Sequence, residues 1–202
     1  MTRLAVRISA GVLVALSACV GPLVALPPSE SPREREVRLI TKCFELKHAK
    51  APMVQQDAAL LQLFRVSPRY VMFNGDWRRR LIQLGQESAM ETELLAWCRE
   101  LPVSENTRIR LARFYAEAHR TADVLSTLDA ARPLLGTNKM PFDDNVNFIP
   151  DTLFMSRQYE LAKRYDDAVA VLKIGRKHMP NEQGLALQAE LDRILAVTAR
   201  PR

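Results

Sequence analysis

Apolar positions along this chain recur at helical spacing, and strand-type alternation is hard to find. Val37, Ile40 and Phe44 follow one another on a helical face. Leu60, Leu61 and Phe64 mark a second segment, Leu81 and Leu84 a third, and Leu94, Trp97, Cys98 and Leu101 a fourth. Ser31-Pro32-Arg33-Glu34 supplies a helix start: a serine cap, a proline at the first position and a glutamate three residues after the cap. Ala51-Pro52 breaks that helix, Ser67-Pro68 and Asn74-Gly75 are turns, and Asp76 is placed to cap the helix around Leu81 and Leu84. Ser88-Ala89-Met90-Glu91 reads as a second capping box. Tyr70-Val71-Met72-Phe73 fits a strand or a helix equally. The pattern predicts an all-α fold of short helical hairpins.

The N-terminus is patterned differently. Met1 to Arg7 holds two arginines and no acid, Ile8 to Leu16 is apolar, and Leu16-Ser17-Ala18-Cys19 comes next. A basic start, a short apolar centre and small residues before a cut describe a secretory signal, predicted here over residues 1–18. The last four residues resemble the bacterial lipobox. That resemblance implies a lipid-modified Cys19 as first residue of the mature chain. Anchoring is firm once two or more acyl chains enter the bilayer, each contributing about 0.8 kcal/mol per buried methylene. Val20 stands where an aspartate would retain a lipoprotein in the inner membrane of enterobacterial relatives, so the resemblance points to the outer membrane, facing the periplasm. The competing reading is an uncleaved helix spanning Ile8 to Leu26, anchored in the inner membrane. The arginines would hold its start in the cytoplasm, and the body would again lie outside it. Residues 19–31 contain Pro22, Pro27 and Pro28 and read as a lipid anchor followed by a semi-rigid spacer. A helical region, 32–103, and a repetitive one, 104–202, come after it.

The repetition has a fixed offset. Leu111-Ala112-Arg113-Phe114-Tyr115 returns loosely as Met155-Ser156-Arg157-Gln158-Tyr159, and 159 − 115 = 44. Val124 then matches Ala168, Leu128 matches Leu172 and Arg132 matches Arg176 at the same offset. The second copy, with Tyr159, Tyr165, Ala168, Leu172, Gly175 and the closing Pro180, resembles the tetratricopeptide repeat. That family's period is about 34 residues, so an insertion is expected at about Leu134 to Pro150. The resemblance implies an α-solenoid of helical hairpins, with Glu182 to Ala199 as a terminal capping helix. It further implies a concave protein-binding groove lined by the first helix of each repeat, here Asn106, Arg113 and Glu117, then Arg157 and Glu160. Arg113 and Arg157 could grip a partner carboxylate there, or could pair with neighbouring glutamates.

Composition narrows the chemistry. The 202 residues are 48% apolar and 26% charged with seven glycines, which suits a globular helical protein. The formal charge of +6 becomes 6 − 2 = +4 once Arg3 and Arg7 are removed with the signal segment. Basic residues are interspersed with acids except at Arg78-Arg79-Arg80, which reads as a solvated face and not as a nucleic-acid surface. With Cys19 lipidated, Cys43 and Cys98 remain as an even pair in an oxidising compartment. They are expected either to bridge, closing a loop of roughly 56 residues at a gain of about 4 kcal/mol, or to stay as two buried thiols. His48, His119 and His178 are far apart and lack a partner at ligand spacing. Asp143-Asp144-Asn145-Val146-Asn147 starts like a calcium loop but has Phe148 and Phe154 where glycine and glutamate are needed. No metal or cofactor is expected.

These readings predict a membrane-tethered periplasmic scaffold that binds envelope proteins. Lipoproteins of this appearance resemble pilotins and pilus-assembly factors, which points to a pilus, secretion or outer-membrane machine. The alternative is a cell-envelope enzyme, such as a peptidoglycan hydrolase, acting through Glu91 or Glu93 near Trp97.

Overall fold

A computed structural model describes residues 30–137 and 147–199. The predicted signal segment, Cys19, most of the spacer, and the Asp143-Asp144 pair lie outside the described residues. The described residues form ten α-helices and no strand. In chain order these are α1 (Pro32–His48), α2 (Met53–Val66), α3 (Pro68–Met72), α4 (Gly75–Gln83) and α5 (Glu87–Glu100). Then come α6 (Glu105–Glu117), α7 (Thr121–Ala131), α8 (Phe148–Leu161), α9 (Tyr165–His178) and α10 (Leu185–Thr198). None is long and apolar enough to cross a membrane.

One turn recurs at four joints. After α1 the N–H of Ala51 donates to the Leu46 carbonyl and that of Lys50 to Lys47. Gln86 and Gly85 do the same after α4, Arg120 and His119 after α6, and Arg164 and Lys163 after α8. These paired bonds are Schellman closures, which satisfy the last carbonyls of a helix by turning one residue left-handed. The φ angles are 50° at Lys50, 71° at Gly85, 58° at His119 and 59° at Lys163. Glycine takes that conformation freely; the other three bear a cost on the order of 1 kcal/mol. The intervals are 85 − 50 = 35, 119 − 85 = 34 and 163 − 119 = 44 residues. The long interval contains the segment between α7 and α8, where the insertion is expected.

Helices α1 and α2, α6 and α7, and α8 and α9 pack closely as pairs, and α10 covers α9 and α8. Helix α3 fits among α2, α4 and α5, and α5 lies on α6. A single core runs through all of them. Leu63, Val71, Met72, Leu81 and Met90 fill its first half; Phe114, Leu128, Met155, Tyr159, Ala168 and Leu172 fill its second. Tyr159 and Ala168 are both fully buried, as the repeat register requires.

Several local readings change. The Ser31 capping box forms, with Glu34 returning to the Ser31 N–H at 2.8 Å. Asn74, not Asp76, caps α4, its side chain accepting from the Asp76 and Trp77 amides. Helix α5 starts at Glu87 without a side-chain cap, because the Gly85 turn feeds directly into it ahead of Ser88. Tyr70, Val71 and Met72 are helical, and Phe73 caps the end of α3. On α1 the buried positions are Leu39 and Cys43, while Val37 and Phe44 face outward. Helical spacing identified a stripe there but not which stripe α2 would cover. The bridge between Cys43 and Cys98 is not formed: both are free. Cys43 faces Leu60 and Trp77 from α1, whereas Cys98 lies on α5 against Thr107 of α6, so different neighbours hold them. Burial pushes both thiols up from their ordinary pKa.

Candidate protein-binding surface

The joints between helices hold most of the charged chemistry. At the α6–α7 turn the Tyr115 hydroxyl donates to Glu91 of α5 at 2.8 Å. Arg120 lies over the Tyr115 ring at 4.5 Å and bonds both Glu91 and Asp123 at 2.7 Å. Forty-four residues later the set returns. Tyr159 donates to Asp129 of α7 at 2.9 Å, and Arg164 lies 4.9 Å over that ring and bonds Asp129 and Asp167. Each set ties the C-terminal end of one helix to the helix before it and the helix after it. Arg120 holds the Glu91 carboxyl below its ordinary range, and Arg164 does so for Asp129. Burial pushes the Tyr115 hydroxyl up to about 12 and raises Tyr159 as well.

The groove residues obey the same logic. Arg113 bonds Asp151 of α8 at 2.8 Å and lies 4.3 Å over the Phe154 ring. Glu117 accepts a two-pronged contact from buried Arg78 at 2.8 and 2.9 Å. Glu160 accepts the equivalent from Arg193 of α10 at 2.6 and 2.9 Å. Arg157 is exposed on α8, and its charge bears on Glu190 of α10. Asn106 lies half-buried on α6. The structure therefore brings α6 and α8 side by side and joins them through Arg113 rather than pointing two free guanidiniums into one cleft. The arginine run is likewise divided: Arg78 goes to Glu117, Arg79 to Asp76, and Arg80 to Asp57 at 2.6 and 2.7 Å. It is not the single solvated face expected of it.

What the sequence pattern did not reveal is an aromatic surface built around α3. Phe44 of α1 and Tyr70 of α3 both stack on Trp77 of α4, with centroids 5.3 and 6.0 Å apart. One turn along, Phe73 stacks on Trp97 of α5 at 5.7 Å. The Arg110 guanidinium lies 3.8 Å over Phe73, and Arg69 lies 5.5 Å over Trp97 while bonding Glu93 and Glu100. Phe73 is 53% exposed, Phe44 40% and Tyr70 39%. Beside this surface a cavity of about 130 Å³ opens between α1, α2 and α4, with Cys43, Leu60 and Trp77 in its lining and Lys47, Asp76, Asp57 and Arg80 among its charged residues. The available signal was the Tyr70–Phe73 spacing, one helical turn; it could be read only once that stretch was known to be helical. Among the described residues, no cluster of side chains could hold a metal ion.

No protein-family model, curated protein or solved structure matches the chain.

Proposed function

We propose that this chain is a protein-binding scaffold of the cell envelope, tethered at lipidated Cys19, its body in the periplasm, assisting assembly or stability of an envelope machine. The outer membrane is the favoured anchor site, with inner-membrane anchoring the alternative. The observation that carries the reading is the aromatic surface of Phe44, Tyr70 and Phe73. Aromatic side chains exposed together beside arginine are the composition of interface centres, where large rings contribute much area at low entropic cost. The turn-to-turn intervals of 35 and 34 residues lie close to the tetratricopeptide period and support that resemblance, and through it a protein ligand, with α1–α2, α6–α7 and α8–α9 packing as the hairpins. The groove expected along α6 and α8 has less support, because Arg113, Glu117 and Glu160 are already paired within the fold.

A peptidoglycan hydrolase draws little support from these carboxylates. Glu91 is held ionised by Arg120 and accepts from Tyr115, which suits it poorly to donating a proton, and Glu93 pairs with Arg69. The test is crosslinking in intact cells, followed by mass spectrometry, of wild type against Tyr70→Ala/Phe73→Ala. Loss of the captured envelope proteins with unchanged helical circular dichroism is expected. Undiminished capture by the double variant would overturn the assignment of the surface.

A further inference from the structure

The tip of the first hairpin, where α1 turns into α2, combines exposed apolar side chains with a basic stretch of sequence. Met53 is 55% exposed and Val54 79%, the highest value among the exposed large apolar side chains. Around them, from Leu46 to Gln56, the sequence carries Lys47, His48 and Lys50 and no acid. The nearest carboxylates are engaged: Asp57 is held by Arg80 through two bonds, and Asp76 is shared between Lys47 at 3.2 Å and Arg79 at 2.6 Å. Lys47, Arg78 and Arg79 meet Asp76 and Glu117 beside the tip, 3 − 2 = 1 positive charge in excess, to which Lys50 adds. Glu45 lies alongside the tip, in a shallow groove it lines with Lys42, Leu46 and Ala49, so Lys42 offsets its charge there. No side-chain cap closes the start of α2.

We infer that this tip docks on the anionic surface of the bilayer, with Met53 and Val54 entering the headgroup boundary and Lys47 and Lys50 facing acidic headgroups. Apolar side chains ringed by lysine suit that boundary, because the apolar part leaves water while each cation meets phosphate. The inference rests on the tethered reading, and the tether's reach allows it. From Cys19 to Glu30 there are 30 − 19 = 11 residue steps, which span at most about 36 Å when extended. Helix α1, at 17 residues, is about 25 Å long, so a chain anchored at Cys19 can bring the far end of α1 back to the same membrane. Docking would fix the orientation of the domain at the membrane.

The test uses the full-length protein, reconstituted in vesicles of phosphatidylethanolamine with phosphatidylglycerol, with a benzophenone side chain replacing Val54. Irradiation is expected to yield a phospholipid adduct at position 54 and none at position 192 on α10. The adduct should fall roughly five-fold for each lysine removed by Lys47→Gln or Lys50→Gln, and similarly in purely zwitterionic vesicles. Equal lipid adducts at 54 and 192, adducts insensitive to lipid charge, or adducts formed with protein in intact envelopes would overturn it. Flotation separates the two readings: a chain that floats with vesicles yet gives no adduct at 54 loses the docking tip and keeps the tether. A chain that does not float loses both.

Discussion

The α6–α7 and α8–α9 joints share a turn, a tyrosine, an arginine and an acid, whereas between α1 and α5 only the turn repeats. In the C-terminal half the left-handed residue, the tyrosine before it, the arginine after it and the acid three positions further on all recur at 44 residues. Lys50 and Gly85 open the same Schellman turn in the N-terminal half, but there α4 packs on α2 and α3. The aromatic side chains differ in the same way. Phe114, Tyr115 and Tyr159 are buried at joints, with each tyrosine hydroxyl satisfied by a carboxylate. Phe44, Tyr70 and Phe73 are left at the surface. The contrast teaches that the regular stack uses its aromatics to join neighbouring helices, and that the irregular half, with a five-residue helix in place of a full one, leaves rings at the surface.

The sharpest way to break the comparison is to test whether the two C-terminal hairpins are energetically equivalent. Leu128 and Leu172 occupy matched positions and are both fully buried. Leu128→Ala and Leu172→Ala should each lower stability by about 2–5 kcal/mol in urea titrations, and by similar amounts. A large change at one and a negligible change at the other would show that the offset is coincidental. A smaller effect is expected at the turns, where both halves should respond alike. Gly85→Ala should cost about 1 kcal/mol, while Lys50→Gly, His119→Gly and Lys163→Gly should each be neutral or gain up to about 1 kcal/mol. A loss at His119 or Lys163 with a gain at Lys50 would mean that those side chains contribute contacts beyond the turn itself.

The smallest expected effect is the pH dependence of the charged joints, since their ion pairs are partly exposed and screened. The carboxyls of Glu91 and Asp129 are lowered on folding, so the stability they contribute is present above about pH 4 and is lost as pH falls through their folded values. Tyr115 is raised to about 12, so its contribution holds up to about pH 10 and is lost as pH rises toward 12. Asp129→Asn should flatten the acid limb of a thermal-melting series, and an unchanged limb would separate that joint from acid stability.

The helical class, the Ser31 cap and the 44-residue offset were legible because each depends on residues near one another in sequence. A capping box needs positions three apart, and a repeat needs only that copies share spacing. The same locality explains the errors. The Val37–Ile40–Phe44 stripe was as regular as the true one, and nothing within α1 says which face α2 will cover. Cys43 and Cys98 looked like a pair by elimination, but a bridge requires proximity, which the packing of α1 and α5 against different neighbours decides. Arg113 and Arg157 matched in sequence, yet the acids that meet them come from later helices, α8 and α10. The sequence by itself determined that this chain is helical and that its C-terminal half carries a 44-residue offset, since propensity, capping and hydrophobic periodicity act over a few residues. Only the tertiary structure decided which charges are neutralised inside the fold and which aromatic rings remain in water, because burial belongs to the contacts between helices and not to any one of them.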